Sequence, residues 1–76
     1  MGIEYKIKFQ IENRQMLENF LIGISANFQN EVTILLEDDG FYFCDNCGDR
    51  LIAADIFYRL MKESLTHTSE ITIHEL

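Results

Sequence analysis

An α+β two-layer sandwich is the fold class this chain predicts, with element order β-α-β-β-α-β. Three observations carry it. The N-terminal segment alternates apolar and polar residues. Two later segments carry apolar residues at three- and four-residue spacing. Between those segments, two alternating runs flank the sequence Glu37-Asp38-Asp39-Gly40. Two crossover helices and one hairpin suit a ferredoxin-like split βαβ arrangement, with a four-stranded, mainly antiparallel sheet and two helices on one face. The expected strand order is 4-1-3-2.

Strand one is the clearest element. Ile3, Tyr5, Ile7, Phe9 and Ile11 alternate with Glu4, Lys6, Lys8 and Gln10, which gives one dry and one wet face. Asn13 offers a side-chain oxygen as helix N-cap. From Arg14 to Ser25, Leu17, Phe20, Leu21 and Ile24 form one apolar stripe. Residues 26–30 read as the exit loop, with Phe28 tucked beneath it.

Val32, Ile34 and Leu36 form the inward set of strand two, and Phe41 to Cys44 form strand three. Asp39-Gly40 is a strong two-residue hairpin signal. With those two residues as the turn, Leu36 faces Phe43 and Leu35 faces Cys44, and the apolar set Val32, Ile34, Leu36, Phe41 and Phe43 shares one face. Asp49 caps the second helix, expected over Arg50 to Leu65, whose stripe is Ile52, Ala53, Ile56, Phe57, Leu60 and Met61. The last strand runs from Ile71 to Leu76, with Ile71 and Ile73 inward.

The chain has 76 residues, so residues 1–76 form a single domain. A domain of this size buries only roughly 60% of the surface its unfolded chain exposes, which leaves little room for a deep cleft. Thirteen acids face six bases, for a net charge of −7. That field repels phosphate backbones, so no nucleic-acid partner is expected. It favours a basic protein partner through faster association. No apolar run approaches the ~20 residues that cross a bilayer. The N-terminus lacks the basic and apolar regions of a signal peptide. Met1-Gly2 begins like a myristoylation signal, but Lys6 stands where that signal needs Ser or Thr. The expectation is a cytoplasmic protein without a membrane partner.

Both cysteines fall in Cys44-Asp45-Asn46-Cys47-Gly48. Three readings compete. A Cys-x-x-Cys-Gly knuckle is half of a structural zinc site, and zinc takes four ligands. His67 lies past the far end of a helix of about 16 residues, roughly 24 Å long. His74 is better placed, because the last strand runs parallel to strand three with one strand between them. The metal set would therefore be Cys44, Cys47 and His74. As a redox dithiol the motif precedes a helix N-terminus, which lowers a thiol pKa. However, Asp45 and Asp49 oppose a nearby thiolate, and the chain has no proline to supply a cis-proline beside the motif. The third reading is a plain connection: Cys44 ends a strand, Asp45-Asn46 turns, Gly48 gives freedom and Asp49 caps a helix. It explains every residue of the stretch and is preferred.

Among other candidates, Glu37-Asp38-Asp39 lacks the ligand spacing of a calcium loop. No serine sits in a nucleophile-elbow context, and no glycine-rich phosphate loop is present. The outer sheet face is more informative, with Lys6, Lys8, Thr33, Leu35, Tyr42, Cys44, Thr72 and His74 as its expected occupants. Leu35 and Tyr42 make an apolar spot there, with Lys6 and Lys8 at its rim. The expected function is a small, acidic, non-catalytic protein-binding module, docking a protein partner or forming a homodimer through this face without a cofactor. The alternative is a structural zinc or thiol module.

Overall fold

The chain folds in the predicted order. The computed structural model describes residues 3–28, 31–46 and 49–76, the side chains of 25–28 excepted. β1 (Glu4–Lys8), α1 (Arg14–Phe28), β2 (Val32–Glu37), β3 (Gly40–Asp45), α2 (Arg50–His67) and β4 (Thr72–Glu75) follow in turn. The sheet order is β2-β3-β1-β4, with every neighbouring pair antiparallel. This is the expected 4-1-3-2 order counted from the other edge.

The period-two pattern places the core. Ile7 on β1 and Phe41 on β3 are fully buried, as are Leu17 on α1 and Ile56 and Leu60 on α2. Both helices therefore lay their stripes on the same sheet face. Phe43 meets Phe57 edge-on with ring centroids 5.1 Å apart, and Tyr5 packs on Phe57 at 5.3 Å. Such aromatic contacts add to simple burial. Ile34 and Leu36 are half-buried against the cluster.

Both predicted caps form. The Met16 N–H donates to Asn13 Oδ1 at 3.2 Å. The N–H groups of Leu51 and Ile52 donate to Asp49 Oδ1 at 2.8 and 3.4 Å. Each satisfies a donor that the first helical turn leaves unpaired.

The hairpin register departs from the expectation. Asp38 and Asp39 form the turn, Glu37 pairs with Gly40, Leu36 with Phe41, and Leu35 with Tyr42. The reason lies in β1. Gly40 opens β3 with φ +148°, and a Cβ on it would stand 1.9 Å from the Ile7 carbonyl oxygen. The glycine is needed where β1 runs beside β3, with Lys8 opposite Gly40 and the Ile7 carbonyl too close for a side chain, and this fixes it inside the strand. The slip is two residues, so every side chain keeps its predicted face.

Other boundaries also move. α1 continues to Phe28, so 26–28 are helix rather than loop; the packing of Phe28, like Cys47 and Gly48, lies outside the described residues. α2 continues to His67, where Nε2 meets Glu63 Oε2 at 2.8 Å. The Thr66 hydroxyl donates to the Glu63 carbonyl at 2.7 Å. These contacts carry the helix two residues beyond Leu65, its last apolar residue, and His67 is its final residue rather than lying past it. β3 runs on to Asp45, and the Asn46 N–H still donates to the Glu31 carbonyl at 3.1 Å. The ladder therefore passes through Asp45-Asn46, where a turn was expected. Ile73 stands opposite Ile7 on the helix-facing side, as predicted, but is 42% exposed because β4 is an edge strand.

Candidate functional site

The sheet face that neither helix covers is ordered as cross-strand rows. The middle row reads Leu35, Tyr42, Lys6, His74 from β2 to β4. On one side of it lie Thr33, Cys44 and Glu4. On the other lie Glu37, Gly40, Lys8 and Thr72. Every residue expected on the outer face is there. Leu35 is 51% exposed, and Tyr42 is half-buried beside it.

The rim is more tightly tied than the sequence suggested. Lys6 bonds Glu37 and stands 2.6 Å from Asp39. The Asp38-Asp39 turn brings that carboxylate over the sheet. Hydrogen bonds from Asp39 and then Glu37 raise the Lys6 pKa, and the Lys6 hydrogen bond holds the Asp39 carboxyl below its usual range. Lys8 Nζ lies 3.9 Å from Asp39. Lys6 is thus neutralised within its own chain, and does not act as a free cation ringing Leu35. The Tyr42 hydroxyl donates to Glu4. That carboxylate, then burial, then the Cys44 side chain push the phenol up from its ordinary value. A proton on Tyr42 is therefore held firmly, so the ring stands on this face as a neutral, partly apolar surface.

Of the cysteine motif, Cys44 lies on this face. Cys44 is half-buried, with its Sγ 3.8 Å from the Asp45 carbonyl. His74 stands in the Tyr42 row, diagonal to Cys44 across β1. Among the described residues no group of three or more His, Cys, Asp or Glu side chains is placed to hold a metal. Cys47, the third member of the expected metal set, lies outside them. The connection is anchored from its flanks. Asn46 Nδ2 donates to Thr33 Oγ1 at 3.0 Å, and the Asp49 N–H donates to Glu31 Oε2 at 3.0 Å.

Glu31 and Arg14 are residues that sequence reasoning missed. Arg14 donates to the Leu36 carbonyl at 2.8 Å and so covers one end of the β2 edge. Neither role has a sequence signal, because each depends on a contact between distant segments. An apolar concavity of about 510 Å³ opens between the sheet and the start of α2, with Tyr5, Phe43 and Phe57 in its lining. Those rings are members of the aromatic core stack, so the concavity is the open end of the core. No helix among the described residues is long and apolar enough to cross a membrane.

No family model, no curated protein and no solved structure matches the chain.

Proposed function

We propose that this chain is a non-catalytic protein-binding module whose outer sheet face docks a protein partner or a second copy. The observation behind this reading is the half-exposed Leu35 beside the Tyr42 ring, on a sheet face that neither helix covers. Around it stand the satisfied polar pairs Lys6–Glu37 and Tyr42–Glu4. An apolar centre with a polar rim is the usual anatomy of an interface, and tyrosine is a frequent hot-spot residue. The ion pairs within the rim leave no uncompensated cation to desolvate on docking.

Leu35→Asp is the test. Monomer stability should change by less than about 1 kcal/mol, as at other exposed positions, while association is lost. Sedimentation velocity over a concentration series reads self-association. Reconstitution of a captured and purified partner with wild type and variant reads the other case. Wild-type affinity in the variant would refute the proposal.

A further inference from the structure

The concavity between the sheet and the start of α2 has a lining that its own chain does not satisfy. Its volume of about 510 Å³ falls within the usual range of small-molecule sites. Tyr5, Phe43 and Phe57 form its apolar wall. Ala54 lines it from α2 as a small, exposed residue. That helix position leaves open the space a larger side chain would take.

Arg50 stands in the same lining. Lys6, Lys8, Arg14 and Arg59 each stand beside a carboxylate, and Lys62 lies over the Tyr58 ring. Among the described residues, Arg50 alone of the six bases has no such partner. Asp45 shares the lining without pairing to it, and is itself engaged. Helix stability does not account for Arg50 either. It opens α2, at the end where the helix dipole favours anions and opposes a cation. The Leu51 and Ile52 N–H groups there are already spent on Asp49, so an arriving anion is left to the guanidinium.

We propose that this concavity binds a small aromatic carboxylic acid, its ring against Tyr5, Phe43 and Phe57 and its carboxylate on Arg50. The wall favours an aromatic body. Tyr5 and Phe43 already meet Phe57 at tilted and edge-on angles, and a further ring extends that preferred packing. The guanidinium fork matches a carboxylate or a phosphate. A phosphate would bring a second negative charge close to Asp45, so the singly charged carboxylate is the better fit. The chain's charge of −7 opposes any anion at long range. Exposed charges are screened beyond about 8 Å at physiological salt, whereas Arg50 acts in contact. The site lies on the helix-covered side of the sheet, opposite Leu35 and Tyr42, and is independent of the docking face.

Amide NMR of the full chain titrated with phenylbutyrate is the test. Saturable shifts should appear at Tyr5, Phe43, Ala54 and Phe57. Phenylbutanol keeps the ring and lacks the charge, so it should bind roughly tenfold more weakly, the worth of a charge-assisted hydrogen bond. Arg50→Gln should weaken phenylbutyrate by the same factor, roughly tenfold, and leave phenylbutanol unchanged. Binding of the alcohol then also shows that the variant is folded. Ala54→Phe, at an exposed site, should remove binding of both probes with the circular dichroism spectrum unchanged. Shifts centred on Leu35 and Tyr42, shifts that do not saturate, an Arg50→Gln variant that binds both probes as wild type does, or full binding in Ala54→Phe would each overturn the proposal. So would an acetylated dipeptide ending in phenylalanine that binds more tightly than phenylbutyrate, because the site would then belong to a peptide carboxyl terminus.

Discussion

At the scale of single residues, Gly40 shows how a strong local signal can be right about the residue and wrong about its place. Asp39-Gly40 marks a tight turn in sequence, and a tight turn is there. Yet the glycine serves the strand, where the Ile7 carbonyl would lie 1.9 Å from any Cβ. That contact joins residues far apart in the chain and leaves no local trace. Gly40→Ala should therefore destabilise the domain by on the order of 3 kcal/mol or more, combining a disfavoured φ with a backbone clash. Urea unfolding measures it, and a loss below about 1 kcal/mol would place Gly40 back in the turn. Tyr42 offers a second test. Its phenol is pushed up, first by Glu4, and Lys6 is raised by Asp39 and Glu37. Both folded pKa values exceed their unfolded ones. Their contributions are present below about pH 10 and are lost as pH rises through the folded values. Asp39 is lowered by Lys6, so its contribution is present above about pH 4 and is lost as pH falls through the folded value. Stability should thus decline on both flanks of a neutral plateau, and Tyr42→Phe should flatten the alkaline one. Phenolate absorbance provides the check: the signal lost in Tyr42→Phe must titrate above ordinary tyrosine.

At the scale of elements, faces were legible and ends were not. Alternation along Val32–Glu37 and Gly40–Asp45 assigns each side chain to a face whatever the register, because a two-residue slip preserves parity. Helix ends depend on stop signals, and this chain has no proline to supply one. α1 accordingly runs through Ala26 and Asn27. α2 runs on because Glu63 holds His67 and the Thr66 hydroxyl. Phe43 joins these levels, being 3% exposed and edge-on to Phe57. Phe43→Ala should cost on the order of 3–5 kcal/mol, for lost burial and the cavity left behind. A cost below about 1 kcal/mol, read from the urea midpoint, would mean that strand three turns its other face inward.

At the scale of the whole molecule, the question is whether so small a domain holds itself together without a metal or disulfide. Fully buried Ile7, Leu17, Phe41, Ile56 and Leu60 draw on both helices and two strands, so one cluster ties the layers into a single cooperative unit. The residues on either side of the connection between β3 and α2 are held by ordinary hydrogen bonds, Asn46 to Thr33 and Asp49 to Glu31. A zinc-dependent domain would unfold when its metal is removed, since the metal's binding energy is then folding energy. Here the double variant Cys44→Ser, Cys47→Ser should instead melt within a few degrees of wild type, a shift of order 1 kcal/mol or less for a chain of this length. A chelator should leave the wild-type melt unchanged. Elemental analysis of protein purified without chelator is the independent readout. Stoichiometric zinc together with a chelator-induced collapse of the melt would make Cys44, Cys47 and His74 the starting ligand set. Three ligands would then leave one tetrahedral position to be filled from outside this chain or by water, so the metal and the contact between chains would have to be sought together.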